Sequence, residues 1–150
     1  MAIPVELLKT ITDAAESSYP DEACGLLVGT VEPGGVVLVS SVEPAPNVAR
    51  GSRNDRFEVD PRVRFALMRR LRGGAECLIG HYHSHPDHPA LPSRRDLEMA
   101  FEPDLIWLIT SVINGRAGDT TVHIPEPVAG GFRRLDLRLI GPHTIQPGRN

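Results

Sequence analysis

The sequence predicts an α/β fold in which a mixed β-sheet carries helices on its faces. The chain has 150 residues, 41% of them hydrophobic and 23% charged, which is ordinary for one soluble globular domain. Helical and strand-like apolar patterns then alternate in the order helix, two strands, helix, strand, short helix, strands. No repeat, low-complexity tract or linker interrupts this order, so residues 1–150 are interpreted as a single domain.

The N-terminal part predicts a helix followed by a hairpin. Pro4 suits a first helical turn, and apolar residues recur after it at helical spacing. Tyr19-Pro20 should end this helix because a residue before proline avoids the α region. The apolar stretches 24–31 and 36–42 are interpreted as two strands, joined by a turn at 32–35 that contains Pro and Gly.

The middle of the chain predicts a loop, a second helix and a strand. Residues 44–55 are polar and rich in turn formers, which is typical of a surface loop. Asp60 is a predicted N-cap, and Pro61 fits the first helical position. Gly73-Gly74 should end the helix. A strand over 76–80 then leads directly into a segment that is rich in histidine.

The C-terminal part predicts a short helix and three further strands. Residues 87–92 contain two prolines and must form a loop, whereas 93–100 has the pattern of a short helix. The longest apolar run, 105–113, is a candidate central strand. Later strands are predicted over 120–124 and 132–140.

Composition excludes several classes of function. The net charge is −3 and no strong basic face is apparent, so nucleic acid is not an expected partner. Cys24 and Cys77 do not make a disulfide framework and are expected to remain thiols. Residues 1–19 resemble no signal peptide, and no apolar stretch has the length of a membrane span. We therefore expect a cytoplasmic protein that does not enter membranes.

The histidine segment predicts a metal site. Alternate residues of a strand share a face, so His83 and His85 can direct two imidazoles at one ion, and Pro86 should end the strand there. Asp96 can add a carboxylate if the loop folds the short helix back over the strand end. Two histidines and one aspartate leave a fourth position for water, which is the pattern of a catalytic zinc site with one Zn²⁺ per chain.

Two further residues are candidates for the chemistry at such a site. A zinc ion would lower the pKa of a water molecule and polarise a carbonyl, so an acid that is not a ligand is needed to move the proton. Glu22, between the first helix and the first strand, is the candidate general base. The Ser93 hydroxyl would stand beside the metal, where it could stabilise an oxyanion.

The spacing His-x-His-Pro, six residues, then Ser-x-x-Asp resembles the JAMM motif of MPN-domain zinc metallopeptidases, and the upstream glutamate of that family falls on Glu22. The chain is similar over most of its length to compact bacterial members that process ubiquitin-like sulfur-carrier proteins. The resemblance implies an MPN fold related to cytidine deaminases. It also implies zinc-dependent hydrolysis of a peptide or isopeptide bond after the C-terminal Gly-Gly of such a carrier, with release of cysteine or another adduct.

Simpler explanations exist for each part of the motif. An isolated His-x-His is most often a surface pair, Ser93-x-x-Asp96 also fits a helix cap, and a lone Glu22 is most often a solvated loop acid. Their joint occurrence at this spacing favours the zinc site. The alternative function is a non-catalytic MPN-type scaffold for a ubiquitin-like partner. A zinc deaminase would need His-x-Glu and Pro-Cys-x-x-Cys, and neither pattern occurs.

Some roles stay open at this stage. His81 shares its strand face with the two candidate ligands, and it could be an outer hydrogen-bond donor, a rival ligand or a residue at the edge of the core. Neither His88 nor Cys24 receives a role. The adduct that is cleaved, the preference for peptide or isopeptide bonds, and the oligomeric state are also open.

Overall fold

A computed structural model describes residues 1–141, which form an eight-stranded sheet with three helices. The domain predicted over 1–150 extends into residues 142–150, which lie outside the described range. The elements, in chain order, are β1 (Ala2–Pro4), α1 (Val5–Ser18), β2 (Cys24–Val31), β3 (Val37–Ala45), α2 (Pro61–Leu71), β4 (Cys77–Pro86), α3 (Arg94–Met99), β5 (Ile106–Ile113), β6 (Arg116–Glu126), β7 (Gly131–Leu135) and β8 (Arg138–Ile140).

The predicted mixed sheet is confirmed. The strand order is β7-β6-β5-β4-β2-β3-β1-β8. The pairs β4–β5, β1–β3 and β1–β8 are parallel, and the other neighbours are antiparallel, including the predicted hairpin of β2 and β3. Because β4 and β5 are parallel, the chain must cross over between them, and this crossover contains α3.

The two longer helices lie on opposite faces of the sheet. Leu27 packs in one core cluster with Ile11 of α1. Its neighbours in β2, Leu26 and Val28, pack in another cluster with Leu67 of α2. Successive side chains of a strand point to opposite faces, so this alternation places α1 and α2 on different sides. The helices on both faces of the sheet are therefore as predicted.

The strands differ from the predictions in three places. Strand β1 was not predicted, because three residues are too few to show a period of two. Strand β3 continues to Ala45, three residues past its predicted end at Val42. The single strand predicted over 132–140 is wrong: β7 pairs with β6, while β8 pairs with β1 at the other end of the sheet.

The caps of the second and third helices are as the sequence indicates. The Asp60 carboxylate accepts a hydrogen bond from Arg62 N at 2.9 Å, and Pro61 occupies the first turn of α2. Ser93 caps α3. None of the helices within residues 1–141 combines the length and the apolar composition that crossing a lipid bilayer requires.

Candidate metal centre

The carboxyl end of β4 brings two histidines together. His83 and His85 point to the same face of the sheet, and their side chains are buried, 0% and 6% exposed. The two Nε2 atoms are 2.9 Å apart. Strand β4 lies inside the sheet, between β2 and β5, so both of its neighbours support the backbone that carries these side chains. The position of the pair is therefore determined by the sheet and not by a loop.

The cap of α3 adds a carboxylate to the pair. Asp96 N donates to Ser93 Oγ at 3.0 Å, and Ser93 N donates to Asp96 Oδ2 at 2.7 Å, which completes a capping box. This arrangement points the Asp96 carboxylate at β4. Its Oδ1 is 3.3 Å from His83 Nε2 and its Oδ2 is 3.3 Å from His85 Nε2. The structure thus brings together the three side chains that the sequence predicts as ligands.

The separations between these atoms fit a tetrahedral ion. Bonds of 2.0–2.1 Å imply separations of about 3.3–3.4 Å between ligand atoms in a regular tetrahedron. The two carboxylate separations agree with this value, and the separation of the nitrogens is only slightly shorter. Within residues 1–141, these three side chains are the one group of metal-ligand residues whose ligand atoms converge in this way. Their donor set, two imidazoles and a carboxylate, fits a divalent cation.

The contacts around the rings orient them for coordination. His85 Nδ1 lies 2.9 Å from the carbonyl oxygen of Pro89, so Nδ1 carries the hydrogen and donates it. Nε2 of the neutral ring then presents a lone pair towards the centre. The ring of His83 stacks on Phe57, with centroids 4.3 Å apart and planes 15° apart. His83 Nδ1 is buried without a hydrogen-bond partner among the described residues.

The pKa values of the two imidazoles shift in opposite directions in the metal-free chain. Burial lowers the pKa of His83 below its usual value, although Asp96 acts against this shift. Burial would also lower the pKa of His85, but hydrogen bonds with Asp96 and the Pro89 carbonyl outweigh it and raise the pKa. Burial opposes the charge of Asp96 as well, yet contact with both histidines leaves its pKa below the usual range. Because a divalent cation binds neutral imidazole, its binding would compete with protonation of His85.

Glu22 lies in the wall of the same site, after α1 and before β2. Two backbone contacts hold its segment: Glu22 N donates to Arg53 O at 2.6 Å, and Asn47 Nδ2 donates to Glu22 O at 3.0 Å. Burial raises the pKa of Glu22 to about 8, although His85 acts in the opposite direction. Its Oε2 is buried without a partner among the residues described. The fold therefore provides a carboxyl group that is ready to accept or hold a proton.

Ser93 lies at the mouth of the site. Its side chain is exposed, and its oxygen already accepts the cap hydrogen bond from Asp96 N. The hydroxyl hydrogen is not used by that bond. Ser93, Glu22 and His85 line one cavity of about 240 Å³. The two residues predicted for catalysis thus share a cavity with a predicted ligand.

A larger cavity adjoins the centre on the side of α2. It has a volume of about 510 Å³, and its lining is mainly apolar, including Phe57, Phe65, Met68 and Trp107. Phe57 separates it from the centre, because the same ring stacks on His83. The candidate metal centre therefore lies between a smaller cavity that Glu22 and Ser93 line and a larger, mainly apolar one.

The three residues with open roles take different positions. His81 is packed between Phe57 and Trp107, its ring centroid 6.4 Å from that of His83, and it does not belong to the converging group of ligand atoms. This favours a residue at the edge of the core over a rival ligand. His88 Nδ1 bonds with Pro86 O at 2.8 Å, and its ring lines the smaller cavity. Burial raises the pKa of Cys24 to about 12, so it remains a thiol.

The sequence assigned no individual role to several residues that support the site from distant elements. Phe57 lies in the loop after β3, and Asn47 of the same loop contacts the segment of Glu22. In β6, the Thr121 hydroxyl donates to Ala90 O in the loop that follows β4, and His123 bonds with Thr121. None of these residues stands at a fixed spacing from the motif. Only the pairing of strands and the path of the loops reveal them.

The fold and the centre together define a class: an α/β domain that presents two histidines from a strand end and an aspartate from a helix cap. The chain belongs to the prokaryotic JAB family, since the model for "Prokaryotic homologs of the JAB domain" matches residues 4–123. The family membership and the fold that the motif implied are both confirmed.

Three named relatives match most of the chain. It is 30% identical over 133 residues to the "Desampylase" of Haloferax volcanii, covering 89% of this chain and 88% of that protein. It is 33% identical over 124 residues to the "Probable TtuB-protein conjugate cleaving protease" of Thermus thermophilus, covering 83% of this chain and 76% of that protein. It is 30% identical over 111 residues to the "CysO-cysteine peptidase" of Mycobacterium tuberculosis, covering 74% and 73%. The metallopeptidase class predicted from the motif is confirmed by these relatives.

Solved structures agree on the fold. The solution structure of protein DSY2949 from Desulfitobacterium hafniense superposes with a TM-score of 0.80 at 27% identity, over 93% of this chain and 92% of that one. A structure described as "JAMM: A Metalloprotease-like Zinc Site in the Proteasome and Signalosome" superposes with a TM-score of 0.54 at 21% identity, over 93% and 97%. The second likeness concerns the fold alone.

Proposed function

We propose that this chain is a zinc metallopeptidase of the JAMM type that cleaves the bond after the C-terminal Gly-Gly of a ubiquitin-like sulfur-carrier protein and releases cysteine or another adduct. One observation carries the proposal. Three ligand atoms from β4 and α3 converge at tetrahedral separations, beside a cavity that Glu22 and Ser93 also line. A scaffold without catalysis would need neither the convergence nor the buried acid.

The proposed metal ligands are His83, His85 and Asp96, with one Zn²⁺ per chain. Two nitrogens and one carboxylate oxygen are a donor set that zinc accepts, and three protein ligands are typical of its catalytic sites. A zinc ion held there would polarise the substrate carbonyl and lower the pKa of an attacking water molecule. The hydrogen bond from His85 Nδ1 to Pro89 O supports the assignment, because it leaves Nε2 free to coordinate.

Glu22 is the proposed general base and acid. Its carboxylate takes the proton from the attacking water and then gives it to the leaving amine. A pKa of about 8 in the metal-free chain suits both steps, because the group can hold a proton at neutral pH and a nearby cation favours its ionised form. Ser93 is proposed to donate its free hydroxyl hydrogen to the carbonyl oxygen as negative charge develops there.

The substrate class rests on the relatives and on the larger cavity. The relatives carry names for the cleavage of CysO-cysteine and of TtuB-protein conjugates, and their identities to this chain are 30% and 33%. The apolar cavity of about 510 Å³ beside the centre offers apolar surface against which a substrate protein would pack. We propose that residues 1–150 form one catalytic domain that acts in the cytoplasm on a carrier with a Gly-Gly tail.

The test is direct cleavage. The zinc-loaded protein is incubated with a carrier whose tail ends in Gly-Gly-cysteine and with the same carrier joined to a lysine side chain, and the products are followed by intact mass. We expect release of the carrier with a free Gly-Gly end. Glu22→Ala should retain zinc and lose about 10²–10⁴-fold in kcat. Asp96→Ala should lose both zinc and turnover.

The matched control is Glu6→Gln, which changes an exposed glutamate of α1 and should cleave like the wild type. Full turnover by metal-loaded Glu22→Ala would refute the role of the base. A wild-type protein that binds the carrier tail, contains no metal and never cleaves it would establish the scaffold alternative instead.

A further inference from the structure

The loop between β4 and α3 carries the hydrogen-bond acceptor that orients a candidate ligand. His85 Nδ1 donates to the carbonyl oxygen of Pro89, in the middle of this loop. This bond fixes the ring orientation in which Nε2 would face a metal ion at the proposed site. Whatever holds the loop over the sheet therefore also determines the orientation of His85.

Strand β6 reaches the loop from two strands away. His83 is opposite Ile109 of β5, and Ile109 is opposite Thr121 of β6, so the three residues form one row across the sheet. Directly opposite residues share a face, which places the Thr121 side chain on the face of the metal centre. The loop passes over this row, and the Thr121 hydroxyl donates to the carbonyl oxygen of Ala90.

A second side chain of β6 completes the contact. His123 Nε2 lies 2.9 Å from Thr121 Oγ1. Because the single hydroxyl hydrogen of Thr121 is given to Ala90 O, its oxygen is left to accept, and His123 must donate from Nε2. Thr121 and His123 are 5% and 4% exposed, so water does not compete freely for these groups. The chain of hydrogen bonds has a defined direction, from His123 to Thr121 to Ala90.

We propose that Thr121, supported by His123, is a positioning residue for the metal centre, which keeps the Pro89–Ala90 peptide where it orients His85. This inference rests on the proposed zinc site. Without the hydroxyl, the buried carbonyl of Ala90, which is 4% exposed, loses its donor. The loop then shifts to find another partner, and the neighbouring Pro89 carbonyl moves with it.

The test measures metal affinity in the absence of substrate. Thr121→Val preserves shape and removes the hydroxyl, and Zn²⁺ affinity is measured by competition with a chelator at fixed pH. We expect the dissociation constant to rise about three- to tenfold, less than for loss of a direct partner of a ligand. Thr121→Ser restores the hydroxyl and should restore the affinity. In ¹⁵N-edited spectra of the zinc-loaded protein, the Nδ1–H signal of His85 should shift in Thr121→Val and not in Thr121→Ser.

The matched control is Thr120→Val. It removes a hydroxyl from the adjacent position of the same strand, where Thr120 Oγ1 bonds with Thr110 Oγ1 at 2.9 Å, away from the loop. Wild-type affinity in Thr121→Val, or an equal loss in Thr120→Val, would overturn the inference while leaving the proposed function intact. A wild-type protein that does not bind Zn²⁺ would overturn both. If Thr121→Val does not fold, His123→Phe replaces it, with the same expected direction.

Discussion

The Glu22 carboxyl group is almost completely removed from water. This burial opposes the negative charge that the group would carry as the proposed base. Its side chain is 6% exposed, and burial alone accounts for most of the rise in its pKa to about 8. In the metal-free chain the carboxyl therefore holds a proton at neutral pH. A divalent cation bound at the adjacent candidate ligands would favour the ionised form, so metal binding would be coupled to the ionisation of Glu22.

The raised pKa of Glu22 predicts how the stability of the metal-free protein depends on pH. A group whose pKa is higher in the folded state stabilises the fold fully below its usual pKa of 4.5, and this contribution is lost as the pH rises through 8. As the pH rises from 5 to 9, ionisation of Glu22 should lower the unfolding free energy by roughly 2–4 kcal/mol. The side chain in Glu22→Gln cannot ionise, so the unfolding free energy of this variant should fall by that much less than the wild type's between the two pH values. Urea denaturation at pH 5 and pH 9 in the presence of a chelator measures the difference.

The control for this measurement is Glu6→Gln, which removes an exposed carboxylate from the first turn of α1. It should show the same dependence on pH as the wild type. Identical curves for wild type and Glu22→Gln would mean that Glu22 is hydrated in the folded state and that burial does not raise its pKa.

At the scale of the elements, the pairing of β4 with β5 depends on Gly80, where the backbones of the two strands approach each other closely. A Cβ atom at this position would overlap the carbonyl oxygen of Ile106 on the neighbouring strand. Gly80→Ala must push the two strands apart, which should destabilise the protein by about 1–3 kcal/mol, as overpacked sites generally do. Urea denaturation measures the loss.

Gly131→Ala is the matched control for Gly80→Ala, since a Cβ there meets no atom within 4 Å. It should change the unfolding free energy by less than about 0.5 kcal/mol. Equal stability of Gly80→Ala and wild type would show that the strands can separate at this point without cost, contrary to the contact geometry.

The sequence predicts elements well where the signal is local. Helices α1 and α2 and strand β2 follow from periodicity, Pro and caps, and the position of Asp96 follows from a capping box. Strands β1 and β8 could not be predicted as a pair. They are three residues each, and their pairing joins positions that lie far apart in the chain, such as Ala2 and Arg138. Local patterns contain no information about such a partner.

The same distinction holds within the candidate site. The two histidines and Asp96 are close in sequence and follow one spacing, so their meeting could be predicted. The support from Phe57 and Thr121 depends on which strand lies beside β4 and on how a loop folds over it. Sequence periodicity assigns a face to a residue but does not identify the neighbour on that face.

At the scale of the whole molecule, the hydrophobic core is separate from the candidate metal ligands. The hydrophobic clusters are built from apolar residues of the sheet, α1 and α2, together with a few residues of adjoining segments, and they include none of the three candidate ligands. We expect chelator-treated protein to keep its secondary structure at 25 °C. Zinc at about a thousandfold excess over its dissociation constant should add roughly 4 kcal/mol, which raises the melting temperature by about 10 °C.

Calorimetry or circular dichroism at increasing zinc concentrations measures this rise. Asp96→Asn keeps the shape of the side chain and removes its charge, so its melting temperature should respond little to zinc. A wild-type melting temperature that ignores zinc, or an equal rise in Asp96→Asn, would contradict the assignment of the ligands.

Asn47 has a practical consequence for anyone who wishes to redirect this protein to another target. Its side chain bonds at the same time to the carbonyls of Glu22 and Arg56 and to the amides of Ala49 and Glu58. Asn47 therefore links the loop after β3 to the segment of Glu22 by hydrogen bonds. A loop transplanted from another protein should include an asparagine at this position. A graft without it would remove the hydrogen bond that Asn47 donates to the backbone of Glu22.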